Sequence, residues 1–227
     1  MEQNVNVMNR TGALPVEVNK VLKNTYLLVA ASLIFAAAMA GVSMALNLAP
    51  ISPWLYLAVV IGMPFIMAKT ANSAAGLVVM FAFTGFLGFY AGPILSIYSA
   101  NFGSEIIIQA LGLTGLIFFA LSGYVLKTKK DFSFLRGFLF AGLLVVVGTS
   151  LIYFIGSQFA GWYVSGLSAA ISAAMVLLIS GYILYDTSSI IRGEQTNYIL
   201  AAMNVFINIY VLFMNILHLL SMFSGDD

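Results

Sequence analysis

The residues of this sequence that could support proton or ion chemistry are few. Asp186 stands in Tyr185-Asp186-Thr187-Ser188, directly after a long apolar block. It could be a buried carboxylate that responds to protons or cations at the inner mouth of a cavity. It could equally be a solvated carboxylate at the membrane interface. No neighbour in the sequence supplies an ionic partner, so burial would have to tune this group.

A second set of polar residues recurs at helical spacing toward the C-terminus. Its members are Asn204, Asn208, Asn215 and His218. At roughly 3.6 residues per turn they fall within an arc of about 80° on one helix face. Because such a face would leave amide groups unpaired in lipid, we predict that it points into a helix bundle. There it would line a hydrated path or supply hydrogen bonds between helices.

Sequence motifs for catalysis are absent. The chain has no HExxH, GxSxG or GxxxxGK motif and no cysteine, and His218 is its only histidine. These absences argue against a metalloprotease, a serine hydrolase, a phosphate-binding loop and a His-rich metal site. We therefore predict a protein that is not an enzyme and has no cofactor, although calcium could permeate it or bind weakly. A net charge of +1 gives no reason to expect nucleic-acid binding.

The elements that carry these residues are long apolar blocks. Of 227 residues, 62% are hydrophobic and 7% are charged, whereas soluble domains carry about 25% charged residues. Blocks of roughly 20 apolar residues can cross a bilayer as helices. We therefore predict an all-α membrane protein, a bundle of seven transmembrane helices in contact with lipid. The predicted spans are 25–46, 54–68, 74–98, 105–126, 137–156, 162–185 and 198–223.

The positive charges predict the orientation of these spans. In a seven-span arrangement all nine lysines and arginines lie on one side. Because basic loops stay in the cytoplasm, the N-terminus is predicted to be cytoplasmic and the C-terminus outside. The domain layout is then a cytoplasmic tail at 1–24, a transmembrane domain at 25–223 and a short external tail at 224–227. Lys69 ends the second span on the basic side, where it snorkels to the interface or pairs with Asp186 as a gate.

The third span has the most distinctive pattern of small residues. Gly88 and Gly92 form a GxxxG motif, and Gly85 extends the same face. Small residues let helices approach closely, so this face is predicted to pack against another helix. Pro93 frees a backbone carbonyl and is predicted to kink the outer end of the helix.

Three motifs in this order resemble those of the Bax inhibitor family. They are GFYAGPIL at 88–95, LSGY at 121–124 followed by KTKKDFSFL at 127–135, and YDTS at 185–188. The chain is most similar to the bacterial YccA-like branch of that family. The residues that carry this second resemblance are KNTY at 23–26, KTAN at 69–72 before FAFTGFLG at 81–88, and EQTNYI at 194–199.

This resemblance implies a bundle with its last helix at the centre, in the bacterial inner membrane. It also implies association with the membrane AAA protease FtsH, which the protein would modulate as an inhibitor or a competing substrate. Other family members resemble pH-sensitive calcium leak channels with two aspartates and a basic latch on the second span. Here Asp186 matches the first aspartate, Asn208 takes the place of the second, and Lys69 matches the latch. Because asparagine cannot ionise, this pair cannot share a proton as two carboxylates do, which favours protease modulation over calcium leak.

Overall fold

In the computed structural model, residues 15–162, 164 and 166–224 are described, and all the regular secondary structure within them is helical. Each helix is long and apolar enough to cross a membrane. The prediction of seven transmembrane helices is therefore confirmed. The helices are α1 (Val16–Ala45), α2 (Pro53–Thr70), α3 (Ala74–Phe102), α4 (Glu105–Thr128), α5 (Leu135–Phe159), α6 (Leu167–Ile191) and α7 (Tyr198–Ser224).

Two helices differ most from the predicted spans. α1 begins at Val16, so the predicted tail 1–24 contains the first turns of a helix, and residues 1–14 lie outside the described part. α6 is Leu167–Ile191 instead of 162–185. Gly166 adopts a left-handed conformation just before its first residue, and at its C-terminal end the added residues Ile190 and Ile191 are buried in the core. Asp186 therefore lies inside α6 and not at its end.

The last helix occupies the centre of the bundle. α7 packs against α1, α3, α4 and α6. In its most apolar stretch of 18 residues, 56% of the residues are buried. α2 and α5 are peripheral, because only 6% and 11% of the residues in their corresponding stretches are buried. A helix that touches four others can be apolar on nearly every side and can also carry polar groups that face neighbouring helices.

α1 and α3 form the closest helix pair, along the small-residue face predicted for the third span. A Cβ added at Gly88 would lie 2.0 Å from the carbonyl oxygen of Ala36, and one at Gly92 would lie 2.7 Å from that of Ala40. The two backbones therefore touch with no room for a side chain between them. α3 continues as one helix through Pro93 to Phe102.

Three linkers meet at one end of the bundle. The Asn197 amide donates to the Ala71 carbonyl (3.1 Å) and to the Asn72 side chain (2.8 Å), which joins the α6–α7 and α2–α3 linkers. Arg192, which caps α6, forms an ion pair with Asp131 of the α4–α5 linker. This end also holds every lysine and arginine among the described residues. That it is the cytoplasmic end remains a prediction from the charge distribution.

Candidate functional site

Asp186 is held by the central helix. The Asn208 amide donates a hydrogen bond of 2.7 Å to a carboxylate oxygen of Asp186, and Asn208 itself is buried. The pair joins α6 to α7 a few turns from the basic end of the bundle. A hydrogen bond to a charged group contributes about 1.5–3 kcal/mol, so this contact helps to fix the relative register of the two helices.

The carboxylate lies between two cavities. The smaller, of about 110 Å³, is enclosed by α6, α7 and the linker that joins them, where Gln195 contributes to its wall. The larger, of about 340 Å³, lies among α5, α6 and α7. Tyr185, Asp186 and Asn204 line both. Asp186 therefore lies within α6 and lines a cavity on each side, and both its role as a responsive carboxylate and its solvation stay predictions.

This arrangement limits the chemistry available to the site. Asn208 can neither accept nor release a proton at neutral pH, so the pair cannot exchange one as two carboxylates can. One carboxylate with neighbouring amide oxygens can attract a cation weakly. Among the described residues no group of three or more His, Cys, Asp or Glu side chains could hold a metal ion. The wall of the larger cavity is otherwise largely apolar, with Leu143, Met175 and Ile179 contributing, whereas Ser189 and Gln195 add polar groups to the smaller one.

The remaining polar residues of α7 serve different contacts. The Asn215 amide donates to the Val211 carbonyl within its own helix (2.8 Å). His218 Nδ1 lies 3.0 Å from the Tyr98 hydroxyl, which ties α7 to the half of α3 farther from the basic end of the bundle. Of the four residues of the predicted stripe, only Asn204 and Asn208 line the cavities beside Asp186. The predicted stripe therefore divides into a half that faces the site and a half that contributes hydrogen bonds elsewhere.

Lys69 lies apart from Asp186. It is exposed at the end of α2 and lines neither cavity beside the carboxylate. The ion pairs found among residues 15–162, 164 and 166–224 join Arg192 to Asp131 and to Glu194. The gate pairing of Lys69 with Asp186 is therefore not formed in this structure, and the position of Lys69 agrees with a lysine that snorkels to the interface.

Sequence reasoning missed a second polar contact next to the site. The Ser188 hydroxyl donates to the Lys130 carbonyl and accepts from the Phe132 amide, both at 3.1 Å. It therefore fastens the α4–α5 linker to α6, two residues beyond Asp186. The only signal in the sequence was that Ser188 and the Lys-rich linker belong to the motifs that carry the family resemblance.

Comparison with known proteins agrees with this architecture. Residues 18–225 match the family described as Inhibitor of apoptosis-promoting Bax1. The chain belongs to the Bax inhibitor family. A relative in Escherichia coli K12, named Modulator of FtsH protease YccA, is 44% identical over 92% of both chains. An uncharacterized membrane protein of Vibrio cholerae is 44% identical over 99% of this chain and 100% of its own length.

These matches confirm the family and the bacterial branch predicted from the sequence motifs. A further relative in Escherichia coli O6:H1, named Inner membrane protein YccA, shares the same 44% identity over 92% of both chains. The Bax inhibitor family member described here is accordingly a multi-pass protein of the inner membrane. The name of the K12 relative describes a modulator and not an enzyme.

Proposed function

We propose that this protein modulates the membrane protease FtsH by direct contact, as an inhibitor or a slowly processed competing substrate. The support is the 44% identity over 92% of both chains with the relative named Modulator of FtsH protease YccA. The match extends over almost the whole length of both chains, which is what a shared partner-binding surface on the bundle would require.

The observation that carries the mechanism is the position of α1. A protease that pulls on the segment before Val16 would have to remove α1 first, because α1 is the next element along the chain. α1 packs against α3 through backbone contacts at Gly88 and Gly92, and it also contacts the central helix α7. The first unfolding step would therefore break the closest helix pair of the bundle, which makes extraction slow.

A degradation assay tests this mechanism. Gly88→Leu forces a side chain into the α1–α3 contact, and we expect purified FtsH to degrade that variant several-fold faster than the wild type in proteoliposomes. Gly112→Leu is the matched control, because an added Cβ at Gly112 meets nothing within 4 Å. Faster degradation of Gly88→Leu should be accompanied by weaker inhibition of a second FtsH substrate. Equal degradation rates for the two variants would contradict slow extraction as the mechanism.

The segment before α1 is proposed as the handle for FtsH. Deletion of residues 2–14 leaves α1 intact and removes most of the predicted tail. We expect this deletion to abolish co-purification with FtsH or to remove the inhibition of its other substrates. If the truncated protein retained both binding and inhibition, the tail would not be the handle.

A cation leak is a second candidate, and the position of Asp186 favours it. The carboxylate lies between two cavities and is held by one amide. In liposomes, a leak through this site should be lost in Asp186→Asn, which keeps the shape of the side chain and removes its charge. Glu194→Gln is the matched control, because Glu194 is a half-exposed carboxylate at the same end of the bundle. Calcium flux that is equal in wild type, Asp186→Asn and protein-free liposomes would remove this candidate.

A further inference from the structure

The surface between α1 and α4 is open. Both helices pack against the central helix α7, yet they make few direct contacts with each other in the described part of the chain. One ring contact, between Tyr26 and Phe118 with centroids 6.1 Å apart, joins them across this opening. We call the opening the α1–α4 crevice.

Tyr26 and Phe118 divide the crevice into two cavities. The outer cavity, of about 260 Å³, has an apolar wall to which Phe206 and Phe213 of α7 contribute. The inner cavity, of about 580 Å³, lies toward the basic end of the bundle. Its wall includes Leu22, Lys23, Tyr26, Phe119, Gly123 and Leu126.

The inner cavity combines an apolar wall with a positively charged rim. Phe119 is 72% exposed, so the cavity opens sideways toward the surface that lipid covers. Lys23 is exposed at the rim and forms no ion pair with any described residue. Lys20 precedes it by about one helical turn on α1, and Lys127 follows Leu126 on α4. The rim is therefore rich in lysine, with Glu17 about one turn before Lys20 on α1 and Asp131 in the linker that follows Lys127.

A buried hydroxyl lies deeper along the same wall. The Tyr26 hydroxyl oxygen is buried and has no hydrogen-bond partner among the described residues. Lys23 and Tyr26 are separated by about one helical turn, which is roughly 5 Å along the axis. An unpaired buried hydroxyl costs free energy, so a turn of the Tyr26 side chain toward an acceptor in the cavity would relieve that cost.

We propose that the inner cavity of the α1–α4 crevice binds an anionic phospholipid of the leaflet on the basic side. Its phosphate would bind Lys23, with Lys20 and Lys127 adding to the positive field. Its ester region would reach the depth of the Tyr26 hydroxyl, and the first part of an acyl chain would lie along Leu22, Phe119 and Leu126. Basic pockets between transmembrane helices on the cytoplasmic side bind anionic headgroups in this way.

Native mass spectrometry of the purified full-length protein tests the charge requirement. The protein is titrated with phosphatidylglycerol and phosphatidylethanolamine that carry identical acyl chains. We expect the wild type to retain phosphatidylglycerol preferentially. Lys23→Gln should weaken that binding about fivefold, because one basic residue near an anionic headgroup contributes about 1 kcal/mol. Lys69→Gln makes the same charge change at the same end of the bundle, outside the crevice, and should change binding less than twofold.

A steric variant tests the cavity itself. Gly123 lines the inner cavity, and an added Cβ there meets nothing within 4 Å. Gly123→Leu should therefore extend its side chain into the cavity and lower phosphatidylglycerol retention about tenfold. Gly112→Leu, an open position on the same helix outside the inner cavity, should leave retention unchanged.

Several results would overturn the proposal. These are equal retention of the two lipids, equal effects of Lys23→Gln and Lys69→Gln, or full retention by a folded Gly123→Leu variant. A cavity that takes a helix of a partner protein would give the first of these results. If Gly123→Leu fails to fold in a thermal unfolding assay, the comparison of Lys23→Gln with Lys69→Gln still decides.

Discussion

The glycines of α3 and those of α4 have opposite surroundings. On α3, Gly88 and Gly92 contact the α1 backbone so closely that a Cβ would overlap it. On α4, Gly112, Gly115 and Gly123 face open space. α1 and α3 therefore touch backbone to backbone, whereas α1 and α4 leave the α1–α4 crevice between them. The comparison shows that glycine allows two helices to approach but does not draw them together, because matching surfaces must also meet.

The largest effect is expected at Gly88. In Gly88→Ala the added Cβ would lie 2.0 Å from the Ala36 carbonyl oxygen, and no side-chain movement can relieve a clash with backbone. We expect the free energy of unfolding to fall by about 3 kcal/mol or more. Unfolding in mixed micelles measures this quantity. A loss below about 1 kcal/mol would mean that the α1–α3 contact is not the tight one.

Gly92→Ala should cost less, about 2 kcal/mol, because part of its obstacle is a side chain. The added Cβ would lie 2.6 Å from the Ser43 Cβ as well as 2.7 Å from the Ala40 carbonyl oxygen. Ser43→Gly removes the first contact, so the double variant should recover part of the lost stability. The same unfolding assay measures the recovery, and its absence would assign the whole cost to the backbone.

Gly85→Ala is expected to cost about 1 kcal/mol or less. Here the nearest obstacle is the Phe35 ring, 2.6 Å from the added Cβ, and Phe35 is 39% exposed and can move toward lipid. Phe35→Leu should make the substitution neutral in a thermal unfolding series. A cost as large as that of Gly88→Ala would show that the α1–α3 contact is rigid over its whole length.

The smallest effect, and the opposite sign, is expected on α4. Gly115→Ala adds a Cβ that meets nothing within 4 Å. Because alanine is a better helix former than glycine, stability should be unchanged or should rise by up to about 1 kcal/mol. A clear loss of stability in the same assay would indicate that α4 contacts a partner at this position, and the contrast between α3 and α4 would then be wrong.

At the site beside Asp186, the sequence predicted part of the arrangement and the tertiary structure decided the rest. The helical spacing of Asn204, Asn208, Asn215 and His218 predicted one inward face, since unpaired amides are unfavourable in lipid. Which of them would contact Asp186 depended on the register of α6 against α7. The Asn208 amide lies 2.7 Å from an Asp186 carboxylate oxygen, whereas the Asn215 amide donates to the Val211 carbonyl of its own helix. The gate pairing of Lys69 with Asp186 is not formed for the same reason, because charge and position along the chain do not fix a distance.

The sequence by itself determined the number of spans, the grouping of basic residues at one end and the family. These properties depend on the composition and residue order of single segments. The length, apolarity and motifs of each segment can be seen directly in the sequence. Only the tertiary structure decided which glycines are pressed against α1, which amide holds Asp186 and where the bundle stays open. Those properties depend on how the surfaces of distant segments match, and the apolar blocks of this chain are too uniform in hydrophobicity to specify that match through local pattern alone.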